Sequence, residues 1–199
     1  MEELKKDQVA PIQANSWIEN LASEKTFSLE IPEIILQKKT YEILANKNLN
    51  RIRIKLGLEN VDGKYQICAF AISAVSDGCN YLDNVTPVYK LAPVNEDYSN
   101  KIQEVNTAVD LWKSWRLGEI GEGEEAPVRQ YIYPISYLVT KCELNEIFNI
   151  EGKEEAQIGF GIIKTFTTMI YSGLKDEKMD NGGGGVYDFT VPCPPICPK

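Results

Sequence analysis

With 199 residues, 43% of them hydrophobic and 25% charged, the chain is long enough to bury a core without disulfide or metal staples. Its formal charge of -8 argues against nonspecific nucleic-acid binding, which needs lysines and arginines to neutralise phosphates. Histidine is absent, which excludes serine–histidine and cysteine–histidine triads and leaves carboxylate, lysine, tyrosine and cysteine chemistry.

The opening MEELKKDQVAPIQANSW lacks the apolar stretch of a secretory signal, and no run approaches the roughly 18 apolar residues of a membrane span. Five cysteines are odd in number and too sparse for a disulfide scaffold. Reduced thiols and a cytoplasmic setting are therefore expected.

Residues 1–25 read as a flexible N-terminal segment, in which Trp17, Ile18 and Leu21 offer one short helical turn to the core. From Ile31, IPEIILQKKTYEILANKN predicts a helix of roughly three to four turns, with Pro32 tolerated in its first turn because that N–H has no intrahelical partner. In RIRIKLGLENVDGKYQICAFAISAV, Ile52, Ile54, Leu56 and Leu58 alternate with polar or small residues, and Asp62-Gly63 marks a turn. The second strand is apolar on both faces, through Tyr65, Ile67, Ala69 and Ala71 on one and Cys68, Phe70 and Ile72 on the other. A hairpin with a central second strand follows from this pattern.

The next stretch is irregular, with one extended piece at Val88–Leu91. An amphipathic helix then carries Ile102, Val105, Val109 and Trp112 on one face, widened by Trp115 and stopped by Gly118. Residues 118–127, GEIGEGEEAP, read as an acidic linker. Beyond it the pattern repeats. Pro134 opens a second helical stretch, AQIGFGIIK and TFTTMIYS supply two strands, and Val186-Tyr187 matches Val88-Tyr89 at an offset of about 100 residues.

The expected fold class is α+β: internally duplicated helix plus antiparallel β-hairpin units, with helices packed on one face of a mainly antiparallel sheet. The units span 26–117 and 128–199, joined by the linker, or form one pseudo-symmetric domain.

Few residues suggest chemistry. Cys193 and Cys197 in PCPPICPK have a CxxxC spacing, but a closed zinc site needs about four ligands and only Cys79 offers a third. Redox catalysis wants two intervening residues and a helix start, which these prolines oppose. An intrachain disulfide, a stiff end with idle thiols, and a docking tail through Pro194, Pro195 and Ile196 remain. NGGGG at 181–185 lacks the lysine of a phosphate loop, and Gly159 and Gly161 sit inside a strand, where they allow close packing or a bend. The acidic residues of the linker and of the loops near Asp77, Asp83, Asp176 and Asp180 read as solvated or turn residues. Trp112, Trp115 and Arg116 form either a core stripe or a partner-binding anchor.

No cofactor is implied. The leading expectation is a non-enzymatic interaction or structural protein, binding a protein partner or itself as a homodimer, without nucleic acid or membrane. Its alternatives are a small-molecule binder or histidine-independent enzyme using carboxylates between the units, and a cysteine-based metal or redox module at the tail.

Overall fold

The computed structural model describes residues 9–46, 50–77, 81–120, 129–139, 141–172, 186–188 and 192–193. The hairpin forms as its alternation demands. β2, Arg51–Val61, pairs antiparallel with β3, Lys64–Ser76, and Asp62 and Gly63 turn the corner at positive φ, 52° and 84°. Ile52, Ile54, Leu56 and Leu58 face the main core. Cys68, Phe70 and Ile72 face the other way, under α3, Ile102–Arg116. β3 is central, because β4, Tyr81–Leu91, pairs along its far side.

Two expected helices are shorter than their sequences suggest. Of IPEIILQKKTYEILANKN, only Lys38–Ala45 is helical (α2); Ile35–Gln37 before it is a strand, β1. Of the stretch after Pro134, Ser136–Val139 is strand β6, followed by a short helix α4, Lys141–Asn145, and a π-helical turn, Glu146–Ile150. The physical reason is the same in both places. The apolar runs Ile34–Leu36 and Tyr137–Val139 are buried whatever their parity, and each finds a strand of the other half to pair with. Neither proline starts a helix; Pro134 instead offers its carbonyl to the Trp112 indole N–H at 2.9 Å. In the opposite direction, the single turn expected near Trp17 is a full helix, α1, Pro11–Ala22.

The strands form two separate sheets. β7, Glu155–Ile162, and β8, Phe166–Ser172, form a second hairpin that β9, Val186–Asp188, extends. β1 completes this sheet in the order β1-β7-β8-β9. The larger sheet runs β10-β6-β2-β3-β4-β5, with β5 at Glu96–Asp97 and β10 at Pro192–Cys193. Every pairing between these strands is antiparallel. The result is an α+β fold whose helices pack against both sheets rather than one face. The inner residues of the two sheets meet in a common core with α2 and the π-helical turn, where the Tyr41 and Phe148 rings stack at 4.9 Å.

The exchange between halves is reciprocal. Each half runs helix, strand, helix, then four strands, and its first strand joins the hairpin of the other half. Ile158 N–H donates to Ile34 C=O at 2.8 Å, and Leu56 N–H donates to Ile135 C=O at 3.0 Å. Likewise Val9, ahead of α1, donates to Val186 C=O, and Tyr98, ahead of α3, donates to Val88 C=O, both at 2.8 Å.

Glycines let the two long helices come close. A Cβ on Gly57 would sit 3.0 Å from Ala108 Cβ of α3, and one on Gly161 would sit 2.7 Å from Trp17 Cβ and 2.9 Å from its carbonyl carbon on α1. The free edge of β1 is closed by one side chain. Asn95 Oδ1 accepts from Gln37 N–H at 3.0 Å, while its Nδ2 donates to Ile35 C=O at 2.7 Å and to Ala92 C=O at 3.1 Å. That amide stands in for a neighbouring strand and ties one sheet to the other.

Two stability outcomes are expected from chemical denaturation. Asn95→Ala leaves two strand groups of β1 unpaired and should cost about 1–3 kcal/mol. Gly161→Ala pushes against α1 main chain, which cannot swing aside as a flexible side chain would, and should cost about 1–3 kcal/mol.

Candidate functional site

The residues best placed to form a site meet where the segment after α1, at Thr26 and Phe27, reaches the C-terminal end of α3. Phe27, Trp112, Trp115, Tyr133, Phe160 and Phe166 form a continuous aromatic cluster there. Trp112 and Trp115, one turn apart, stack at 5.2 Å, and the Trp115 edge meets Tyr133 at 5.1 Å. Tyr133 continues the cluster to Phe166 at 5.1 Å, and Phe166 stacks on Phe160 at the same distance. Trp112 is 0% exposed and Trp115 1%, so neither presents a surface to a partner. The partner-anchor expectation for the pair gives way to the core stripe, because the stripe is wide enough to reach both the sheet and the aromatic residues beyond it. Arg116 beside them is half-buried; burial draws its pKa down and the nearby Tyr137 acts against that.

Arg129 closes this cluster. Its guanidinium lies over the Trp115 ring, 3.7 Å from the centroid. Nε donates to Trp115 C=O at 3.2 Å and Nη1 donates to Thr26 C=O. Thr26 is set by Glu24, whose Oε1 accepts from Thr26 N–H at 2.8 Å and from its hydroxyl at 2.7 Å. Burial lowers the Arg129 pKa, with Tyr133 and Glu24 opposing that shift. The Tyr133 phenol, 2% exposed, is pushed up to about 12, first by burial and then by the Glu24 charge, with Arg129 and Thr26 pulling back. Its hydroxyl has no well-formed hydrogen bond; Thr26 is its polar neighbour.

Sequence patterns did not single out Arg129, Glu24 or Tyr133. The one available signal is that Arg129 is a lone cation just past an acidic stretch. Chemically the cluster clamps rather than reacts. A phenol held protonated to about pH 12 is no base near neutrality, and the guanidinium is fixed by a ring and two carbonyls.

The cysteines are mostly out of view. Cys79, Cys197 and the side chains of Cys142 and Cys193 lie outside the described residues, as do Pro194, Pro195, Ile196, residues 181–185, Asp176, Asp180 and most of the acidic linker. Cys68 is a buried free thiol whose pKa burial pushes far up, with Glu59 adding to the shift. The main chain of Cys193 is extended and pairs with Ser136, which in turn pairs with Lys55, and Lys55 with Phe70. Among the described residues no three carboxylates or cysteines gather as a metal site would require, and no helix is long and apolar enough to cross a membrane. Asp83 is an ion-pair residue, bridging Arg53 Nε at 2.5 Å and Lys55 Nζ at 3.0 Å.

On the surface, four strand edges are closed at least in part. Asn95 covers β1, β10 covers β6, β5 covers β4 at Tyr89 and Lys90, and Glu30 bridges Gln66 of β3 past the end of β4. The first part of β4 is different. Asn84–Pro87 loops out opposite Ser73, and no described strand pairs with the outer side of Tyr81–Thr86. Leu82 is 57% exposed, its cross-strand neighbour Val75 37%, and Val85 on the bulge 74%. No protein-family model matches this chain, and neither does any curated protein or solved structure.

The Tyr133 shift has a definite pH consequence. Its folded pKa, about 12, lies above the unfolded value near 10, so its contribution is intact below about pH 10 and is lost as pH rises towards 12. Stability should fall over that window, and Tyr133→Phe should flatten part of the fall in melts taken between pH 9 and about 12.

Proposed function

We propose that this chain is a non-enzymatic interaction protein, that its contact surface is the first part of β4 with Val75, and that its partner is a second copy of itself. The single observation behind this is the stretch Tyr81–Thr86, whose outer side no described strand pairs with and which carries exposed Leu82 and Val85. Apolar side chains on an open strand edge invite pairing with another chain. Charge supports the same reading. Within Tyr81–Pro87 the one ionised side chain is Asp83, and Arg53 and Lys55 take up its charge, so two copies of an acidic protein can approach here.

We also read the chain as an internal duplication. What supports this is the matched element order, the paired bonds at Ile34 and Ile135, and the equivalent places of Val88 and Val186. A small-molecule site between the halves is the second reading, resting on Arg129 and the Tyr133 hydroxyl, but those groups are already engaged or buried.

Sedimentation velocity tests the proposal. Wild-type chain should show a concentration-dependent dimer over about 10–100 µM, and Leu82→Lys with Val85→Lys should weaken it at least about tenfold while leaving the thermal melt unchanged. A wild-type chain that stays monomeric across that range would refute it.

A further inference from the structure

β4 meets β3 in two separate stretches. Residues 88–91 pair with 69–72, and residues 81–83 pair with 74–76. Between them residues 84–87 stand opposite Ser73, so the first stretch is cut off from the second and keeps only three strand pairs. On one face of that stretch Leu82 lies opposite Val75, and both are exposed, so burial there contributes little.

The other face is gripped from two strands away. Arg51, Arg53 and Lys55 alternate along β2 and therefore share one side of the sheet. All three reach across β3 to the first stretch of β4. Arg53 Nε meets Asp83 Oδ1 at 2.5 Å, and its Nη2 donates to Tyr81 C=O at 3.0 Å. Lys55 Nζ meets Asp83 Oδ2 at 3.0 Å, and the Arg51 guanidinium lies over the Tyr81 ring, 4.4 Å from its centroid. The crossing is open because the residue in between is small. Ala74, fully buried, stands opposite Arg51 on one side and Asp83 on the other. The Arg53 side chain is only 9% exposed and that of Asp83 29%, so water screens their bond only in part.

We propose that this grip controls the β4 contact, with Asp83 as the positioning residue: its carboxylate holds residues 81–86 along β3, so that their outer main-chain groups are set for pairing with a second copy. The inference rests on the β4 contact proposed above and names what governs it. An edge recruits another strand well only while its own backbone is extended and fixed; a frayed edge must first be ordered, at a cost in affinity. With three strand pairs and little burial in this stretch, the ionic grip from β2 decides between those two states. It also acts from one face alone. The opposite face, with Leu82 and Val75, stays open for apolar contact between the copies.

Asp83→Asn in the full chain keeps the side-chain shape and removes its charge. On net charge alone that change should help two acidic chains associate; the grip predicts the opposite. Sedimentation velocity should show the dimer weakened at least about tenfold. Amide exchange in dilute, monomeric protein should quicken over residues 81–86 while Ile54 and Ala69 keep their wild-type protection. Asp83→Glu, which keeps the carboxylate, should dimerise within about threefold of wild type. An Asp83→Asn chain that associates as tightly as wild type, or whose exchange over residues 81–86 is unchanged, overturns the proposal, as does an Asp83→Glu chain as weak as Asp83→Asn. If Asp83→Asn does not melt cooperatively, Lys55→Met takes its place. It leaves the Arg53 pair intact and should shift both readouts the same way by about threefold, and wild-type values for it are equally decisive. A wild-type chain that stays monomeric while Asp83→Asn quickens the exchange sinks the β4 dimer and leaves the grip standing. A dimer indifferent to Asp83→Asn does the reverse.

Discussion

Main-chain hydrogen bonding between distant segments is the constraint on which this molecule rests. Each hairpin alone is a ribbon with an open edge, and isolated hairpins are marginal in water. β1 closes the edge of β7 and β6 closes the edge of β2, so each half supplies what the other lacks. The apolar runs Ile34–Leu36 and Tyr137–Val139 are buried only because this pairing places them inside. The positions of α1 and α3 follow, since Gly161 and Gly57 open the seats into which those helices settle. Asn95 then fastens the two sheets through a single amide.

The aromatic cluster sits where this interlocking is tightest, and its chemistry is that of a joint. A half-buried guanidinium needs compensation, which Trp115 supplies through its ring and carbonyl and Thr26 through its carbonyl. Arg129 therefore draws together the end of α1, the end of α3 and the approach to β6. Such an arrangement specifies geometry well and offers little to a substrate. Main-chain groups still open to another chain lie instead on the strand edges, as along the outer side of Tyr81–Thr86.

The elements legible in the sequence are those whose pattern is local. The β2–β3 hairpin shows itself through the alternation of Ile52 to Leu58 and the Asp62-Gly63 turn, and α3 through the spacing of Ile102, Val105, Val109 and Trp112. The place of Gly161 inside a strand, against a close neighbour, was also readable. β1 and β6 were not. Short apolar runs beside a proline and a helix-forming stretch look like the helix itself, and what makes them strands is a partner far along the chain. The Arg129 joint is hidden for the same reason: a cation–ring contact and two long-range carbonyls leave no periodic trace.

The reciprocal pairing also has a consequence in time. Ile35 must wait for Gln157, roughly 120 residues later, which at about 5–20 residues per second is about 6–24 s of synthesis. Through that interval Ile34, Ile35 and Leu36 have no strand to join, and the first hairpin is itself unfinished until β6 emerges. Pairings of such long range are slow to form even in a complete chain. A nascent chain of this design thus passes through a stage in which the apolar run Ile34–Leu36 has no strand to cover it.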